Sequence, residues 1–327
     1  MLFLFFVIVI VVLAWVFNFF NGANDCANAV AASVSCRALT FSRAVLLAAV
    51  SGFLGALATT EVAKTIGKGI VSELTPLVIL SAVCGAISWA AFATYRGIPV
   101  SITHCIVGGI LGAGISSKGL GAVNWAGMKN IVIGMFTSPL GGFIGGFILI
   151  IILLRIFKNW HPTKANFLFS KGQIFSTAFL SFSHGANDAQ NAMGIITIAL
   201  LSGGFIESFK VPLWVILGSA FFMSLGTFYG GKRVIKTVGM KIFKLKPVDG
   251  FAADTASAGV ITLASFLGIP ISTTHVSSSA IMGVGSVKRL SAVRWGIAGN
   301  IILTWVLTIP VAAIVSALFY KLISFVF

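Results

Sequence analysis

Two aspartates lie inside strongly apolar sequence, and each is followed three residues later by an asparagine. Asp25 and Asn28 of the first half recur as Asp188 and Asn191 in the second, within the same string Gly-Ala-Asn-Asp-x-x-Asn-Ala. An ionisable side chain at bilayer depth costs about 3 kcal/mol on insertion scales, so it indicates an ion, proton or substrate pathway. Its recurrence in both halves predicts a transporter built from internal repeats.

The oxygen atoms of this motif are suited to a hard cation. We expect Gly-Ala to interrupt the preceding apolar segment, and Asn24 or Asn187 to cap the helix that follows. Residues three and four apart share a helix face, so carboxylate, amide and freed backbone oxygens would face a Na⁺ site in each half. The predicted sodium ligands are Asn24, Asp25, Asn28, Asn187, Asp188 and Asn191. A simpler interpretation, in which each aspartate only caps its helix or pairs with a lysine, does not require the duplication.

A second duplicated block, from Gly97 to His104 and from Gly268 to His275, carries hydroxyl groups. Both copies contain Gly-Ile-Pro, and we expect each proline in the first turn of a helix that follows a glycine break. Free backbone N–H groups and hydroxyls at such helix starts could bind an oxyanion without arginine. The hydroxyls belong to Ser101, Thr103, Ser272, Thr273 and Thr274. Alternatively, hydroxyl groups in membrane helices bond back to the backbone or across helices.

Four further polar residues are candidates for accessory roles. His104 and His275 could relay protons or donate to an anion, or could each make an ordinary interior hydrogen bond. Glu61 could be an extra cation ligand, but its position three residues before Lys64 favours an interfacial ion pair. Gln190 has no counterpart in the first copy of the motif, so any role for it would be asymmetric.

The composition requires a membrane around most of the chain. Of 327 residues, 58% are hydrophobic and 9% are charged, and the mean hydropathy is +1.06. A soluble globule could not hide so much apolar area, and a crossing helix needs about 20 apolar residues. Long apolar segments lie near residues 2–20, 44–63, 77–95, 130–155, 211–229, 253–267 and 296–326. Shorter pieces, which predict re-entrant segments or half-helices, lie near residues 25–36, 100–116, 174–184, 189–202 and 270–286.

The net charge of +15 is better explained by loops at a membrane surface than by nucleic-acid binding. Lysine and arginine are enriched in cytoplasmic loops, so the densest basic group, in the loop 232–246, is predicted to be cytoplasmic; binding of anionic lipid is the less favoured alternative. That group contains Lys232, Arg233, Lys236, Lys241, Lys244 and Lys246. No basic residue precedes Arg37, which favours an external N-terminus. The four cysteines lack metal-ligand spacing, and no cofactor is predicted.

The two duplicated blocks occur in the same order and divide the chain into halves. We predict a first transmembrane repeat at residues 1–157, a polar linker at 158–170 and a second transmembrane repeat at 171–327. The linker is assigned to the place where charged residues and a proline coincide. An odd number of crossings in each repeat would invert the second relative to the first, and the apolar segments permit this without requiring it.

At these blocks the sequence resembles the inorganic phosphate transporter (PiT) family, whose hallmark is a GANDxxNA motif in each of two halves. Both copies are intact, from Gly22 to Ala29 and from Gly185 to Ala192. The resemblance implies an all-α integral membrane carrier of two inverted-topology repeats, with about 10–12 transmembrane or re-entrant segments and helices broken at the midplane. It also implies that phosphate moves with Na⁺, or with H⁺ in some members. The phosphate ligands would then be Asp25, Asp188, Ser101, Thr103, Ser272, Thr273 and Thr274.

The leading hypothesis is a sodium:phosphate symporter of the cell membrane, with Na⁺ and inorganic phosphate as substrates and lipid around it. Ionised Asp25 and Asp188 would bind Na⁺ near the midplane, and the cations would offset the repulsion of the anion. A proton-coupled phosphate permease or a sulfate permease is the nearest alternative. An intramembrane aspartyl hydrolase would use one shared dyad without duplicated asparagine and hydroxyl ligands, so no enzyme is expected. A homodimer is compatible with the sequence.

Overall fold

The computed structural model describes residues 2–71, 74–230, 234–235, 237 and 242–326. Helices account for most of this part of the chain, so the predicted all-α class is confirmed. They are α1 (Leu2–Ser35), α2 (Phe41–Ala56), α3 (Glu61–Lys68), α4 (Pro76–Arg96), α5 (Ile102–Lys118), α6 (Trp125–Ile156), α7 (Pro162–Ser202), α8 (Leu213–Tyr229), α9 (Pro247–Phe266), α10 (Thr273–Lys288) and α11 (Trp295–Val326). Short 3-10 turns at Leu120–Ala122 and Leu290–Ala292 precede α6 and α11.

Four helices in the described part of the chain are long and apolar enough to cross a membrane. They are Phe3–Ser35, Pro76–Arg96, Trp125–Ile156 and Trp295–Val326. Helices α2 and α3 bend by 76° at a short break, so together they can form a fifth, broken span. Large apolar side chains such as Phe136, Leu140 and Val306 are exposed on the long helices, as expected of surfaces that face lipid. The chain is a multi-pass membrane protein.

Only two of the six residues of the basic group are among the described residues. Lys244 and Lys246 are exposed just before α9. Lys232, Arg233, Lys236 and Lys241 lie outside the described residues. The cytoplasmic position of this loop and the external N-terminus remain predictions.

The helices break at the second block and not at the first. Helix α4 ends before Gly97 and α9 ends shortly before Gly268, and both glycines have positive φ angles, of 72° and 68°. Extended backbone follows in each case, and α5 and α10 begin after the caps Ser101 and Ser272. The predicted glycine breaks are present there. Each proline, however, lies two residues before the cap and not in the first helical turn.

The predicted break at Gly-Ala of the aspartate motif is wrong. Helix α1 is continuous through Gly22, and α7 is continuous through Gly185, so Asn24 and Asn187 cap no helix. The glycines instead allow close helix packing. A Cβ atom on Gly22 would lie 1.9 Å from the Met223 carbonyl oxygen of α8, and one on Gly185 would lie 1.9 Å from the Gly52 carbonyl oxygen of α2.

The two halves interlock. Helix α5 of the first half packs mainly on α11, while its sequence counterpart α10 packs mainly on α6. In the same way α1 packs on α8, and α7 packs on α2. The main buried cluster therefore joins side chains from both halves, among them Ile10, Val83, Ile106 and Ile195.

The junction between the halves is short. Helix α6 ends at Ile156 and α7 begins at Pro162, so only residues 157–161 separate them. The remainder of the predicted linker, residues 162–170, forms the first turns of the 41-residue helix α7. The division of the chain into a first and a second repeat stays a prediction, which the reciprocal packing favours.

Candidate functional site

Four helices bring the duplicated blocks together in the interior. Asp25 and Asp188 lie in the middle parts of α1 and α7, and their side chains are almost completely buried, with residue exposures of 3% and 1%. Helices α5 and α10 begin beside them, because their first turns supply threonines that contact the motif residues. The sequence prediction that both blocks form one site is consistent with this arrangement.

Both carboxylates accept hydrogen bonds from the first turn of α10. Thr274 Oγ1 lies 2.9 Å from Asp25 Oδ1 and 3.0 Å from the Val100 carbonyl oxygen. Thr273 Oγ1 donates to Asp188 Oδ2 over 2.9 Å. Adjacent residues of a single helix therefore hold the two aspartates, each of which comes from a different half.

The asparagines that end the motif are bound across the two halves in a matched way. Asn28 Nδ2 donates to Thr274 Oγ1 over 2.8 Å, and Asn191 Nδ2 donates to Thr103 Oγ1 over 3.1 Å. With their amide groups turned this way, the Oδ1 atoms of both asparagines, and that of Asn24, are buried without a hydrogen-bond partner among the described residues. Buried oxygen acceptors normally have partners, and amide and carboxylate oxygens are the ligands that hard cations prefer.

The asparagines that precede the aspartates anchor the extended connections. Asn24 Nδ2 donates to Thr94 Oγ1 over 3.0 Å and lies 3.3 Å from the Ile98 carbonyl oxygen. Asn187 Nδ2 donates to the Ile271 carbonyl oxygen over 3.1 Å. Each motif helix thereby holds the backbone segment that leads into α5 or α10.

The serines of the second block act as helix caps. Ser101 Oγ accepts from the backbone N–H of His104, and Ser272 Oγ accepts from that of His275, both over 3.2 Å. These bonds satisfy one of the free N–H groups at each helix start. The hydroxyls therefore fall at helix starts, as predicted, while their role as anion ligands stays a prediction.

Glu61 and Gln190 do not face the two aspartates. Glu61 forms an ion pair with Lys64 over 2.7 Å, and both side chains are about half exposed, which agrees with the favoured ion-pair interpretation. Gln190 Oε1 accepts from the backbone N–H of Ala63 over 2.9 Å, and its Nε2 donates to the Ala186 carbonyl oxygen over 2.5 Å. Gln190 thus fixes α3 against α7.

The sequence reasoning missed His184. Its Nδ1 atom lies 3.7 Å from Asp188 Oδ2, and both ring nitrogens lack a hydrogen-bond partner within the described residues. His184, Asp25, Ser181 and Thr227 line the same small cavity. The usable signal was a polar residue four positions before each aspartate, since Asn21 occupies the matched position in the first half.

A buried polar network in the second half was also missed. Asp254 Oδ2 accepts from Gln173 Nε2 over 2.6 Å and from Thr177 Oγ1 over 3.3 Å. Asp249 is fully buried, accepts from Lys288 Nζ over 2.6 Å and from the backbone N–H of Lys246 over 2.9 Å. The first half has apolar residues at the positions that match both aspartates, so comparison of the repeats could not reveal them.

Comparison with known proteins identifies the family. The profile of the phosphate transporter family matches residues 21–167 and 155–316. The chain belongs to the phosphate transporter family. Among its relatives, a probable low-affinity inorganic phosphate transporter of Bacillus subtilis is 45% identical over 325 residues, which cover 98% of each chain. One of the same description from Rhizobium meliloti is 42% identical over 315 residues, covering 95% of this chain and 94% of the relative.

A solved structure agrees with this membership in the phosphate transporter family. The structure, described as "The sodium-dependent phosphate transporter", matches with a TM-score of 0.92 and 30% identity. The match covers 98% of this chain and all of the other. The resemblance inferred from the two GANDxxNA motifs is thereby confirmed, as is the helical carrier fold.

Proposed function

We propose that this member of the phosphate transporter family is a secondary transporter that couples the entry of Na⁺ to the uptake of inorganic phosphate. The relatives named above support phosphate as the substrate, and the description of the solved structure supports sodium as the coupling ion. Relatives are named as transporters or permeases, which supports transport rather than catalysis.

One feature of the motif supports Na⁺ as the ion that it binds. Among the described residues, Asn28 Oδ1 and Asn191 Oδ1 are buried without a hydrogen-bond partner, and each asparagine lies three residues after the aspartate of its own half. A carboxylate and a free amide oxygen on the same helix in each half are the oxygen donors expected of two Na⁺ sites. We propose that Asn24 contributes its free Oδ1 to the first site and that Asn187 belongs to the second.

The phosphate would bind between the starts of α5 and α10. Thr103, Thr273 and Thr274 present hydroxyls there, and helix N-termini favour anions. Ser101 and Ser272 would act by holding these N-termini in place. Because no described lysine or arginine contacts the two aspartates, the cations must supply the positive charge that the anion requires.

Coupling follows from this charge balance. Without Na⁺, two ionised carboxylates would face an anion across a few ångströms. One missing counter-charge at ~6 Å costs about 3 kcal/mol at an effective dielectric constant near 20. The closed arrangement of α5 and α10 around phosphate should therefore form only when the cations are bound, and we propose that two inverted repeats exchange the outward and inward openings.

Uptake of radiolabelled phosphate into proteoliposomes tests the proposal. An inward Na⁺ gradient should drive concentrative uptake, while choline in place of Na⁺ should abolish it. An inward H⁺ gradient alone, and sulfate added first at the concentration of phosphate and then in excess, provide the matched comparisons. Uptake that an H⁺ gradient drives without Na⁺ would contradict sodium coupling, and uptake that sulfate suppresses at equal concentration would contradict phosphate selectivity.

A further inference from the structure

Two histidines from different halves contact each other in the interior. His104 of α5 and His275 of α10 occupy matched positions, and their ring centroids lie 4.9 Å apart with the ring planes at 70°. His275 also stacks on Trp305 of α11, with centroids 4.0 Å apart and planes at 30°. We call His104 and His275 the imidazole pair. It joins the starts of the two helices whose threonines contact the motif residues.

The polar atoms of this cluster are unsatisfied. All four ring nitrogens of the imidazole pair, and Trp305 Nε1, are buried without a hydrogen-bond partner in the described part of the chain. A buried donor or acceptor that lacks a partner is unfavourable, and native structures keep such atoms mainly where a ligand or water completes them. Five such nitrogen atoms in one cluster therefore point to a polar ligand.

The chemistry of the pair restricts that ligand. Neither ring has an acidic partner among the described residues, and an isolated charge is costly to bury, so both imidazoles are uncharged. A neutral imidazole has one N–H donor and one lone-pair acceptor. The complementary ligand must both accept and donate hydrogen bonds. Phosphate does so near neutral pH because it keeps at least one P–OH group, whereas sulfate is fully deprotonated and only accepts.

The position of the pair places it beside the proposed anion site. His104 directly follows Thr103, which contacts Asn191, and His275 directly follows Thr274, which contacts Asp25. We propose that the imidazole pair is the element that selects phosphate over sulfate, by donating to unprotonated phosphate oxygens and accepting from P–OH. This inference rests on the proposed function. Trp305 would stack on His275 to fix its ring and add a third N–H donor.

Substitutions that remove or keep the hydrogen-bonding groups of the imidazole pair test the inference. His104→Phe and His275→Phe each keep an aromatic side chain and remove both ring nitrogens of that histidine, while His104→Gln and His275→Gln each keep a donor and an acceptor. The measurement is displacement of bound radiolabelled phosphate from purified protein in Na⁺ by unlabelled phosphate and by sulfate. His161→Phe is the matched control, because His161 is exposed before α7.

We expect phosphate affinity to fall by about 10-fold or more in each Phe variant, because a site built for a substrate hydroxyl loses its discrimination when the partner is removed. Sulfate affinity should change much less, so the phosphate-to-sulfate ratio should fall about 10-fold. The Gln variants and His161→Phe should keep a ratio within about threefold of the wild type. An unchanged ratio in the Phe variants would overturn the inference.

Trp305→Phe provides a second test if a Phe variant at either histidine does not fold. It keeps an aromatic ring beside His275 and removes the indole N–H together with part of the ring system, so phosphate affinity should fall about threefold to tenfold. The melting temperature should also fall, because Trp305 is buried. Equal phosphate affinity in this variant would also count against the inference. Failure of the wild type itself to bind phosphate in Na⁺ would instead contradict the proposed function.

Discussion

The two copies of the Asn-Asp motif share the string Gly-Ala-Asn-Asp-x-x-Asn-Ala but have different partners. The second asparagine of each copy donates to a threonine in the first turn of a helix from the other half: Asn28 donates to Thr274 of α10, and Asn191 donates to Thr103 of α5. The carboxylates do not follow this symmetry, because α10 supplies the hydroxyl partner of both of them. The residue that matches Thr273 in α5 is the apolar Ile102. The hydrogen bonds that the amide nitrogens of Asn28 and Asn191 donate are thus matched in the two halves, whereas the first turn of α10 contacts both aspartates.

The residues around the two aspartates also differ between the halves. In the second half His184 approaches Asp188, and the buried carboxylates of Asp249 and Asp254 have polar partners. The first half has Asn21 in place of His184 and apolar residues in place of the two carboxylates. The asparagine–threonine contacts are therefore present in both halves, whereas these further polar contacts are found in the second half alone among the described residues.

The largest effect is expected when the negative charge of one motif aspartate is removed at a time. Asp25→Asn and Asp188→Asn should each lower Na⁺-driven phosphate uptake by on the order of 100-fold, since a missing counter-charge costs about 3 kcal/mol. The amide keeps most hydrogen bonds with the threonines, so the melting temperature without ligand should change little. Glu61→Gln, which alters a half-exposed acid on α3, is the control for uptake. A strong loss in only one aspartate variant would show that the two sites are not equivalent.

The second test concerns packing that both halves share. Gly22→Ala and Gly185→Ala should each destabilise the protein by about 3 kcal/mol, because the new Cβ would overlap a backbone oxygen that only a helix shift can relieve. Melting temperature in detergent is the measurement. Gly299→Ala, in a helix position with open space around it, should be neutral or slightly stabilising. Unequal losses for the two motif glycines would argue against matched packing of α1 on α8 and α7 on α2.

The smallest effect is expected at the contact that exists only in the second half. Asp249→Asn should lower the free energy of unfolding by about 1–2 kcal/mol, because it removes the charge that Lys288 contacts and Lys288 is itself partly exposed. Uptake at saturating Na⁺ and phosphate should stay within about twofold. Exposed Glu207 supplies the control variant Glu207→Gln. A loss of uptake as large as that of the motif variants would contradict a purely structural role.

The sequence predicted the membrane class, the duplicated blocks and the helix breaks at Gly97 and Gly268, because each depends on local composition or on direct repetition. It did not predict the uninterrupted helices at Gly22 and Gly185. A glycine that relieves a close contact between helices looks the same in sequence as one that ends a helix, and only the approach of α8 or α2 distinguishes them.

The residues of the candidate site that occur in both halves could be predicted from the sequence. Asp25 and Asp188 were found in this way, and the structure brings both to the threonines of α10. His184 was not found because its matched residue, Asn21, is polar but not identical, and Asp254 was not found because the first half has an apolar residue at the matched position. Asp254 contacts Gln173 across 81 residues of sequence, a pairing that no local pattern records.

The interlocked packing of α5 on α11 and α10 on α6 has a consequence for biosynthesis. When the ribosome has completed the first half, α5 and α6 have not yet met the helices on which they finally pack, and Asn28 has no Thr274. The nascent chain must therefore enter the membrane with a polar, incomplete interior and wait for the second half to be translated. A stalled or truncated chain would leave this interior open to lipid, which makes it a natural target for membrane quality-control proteases.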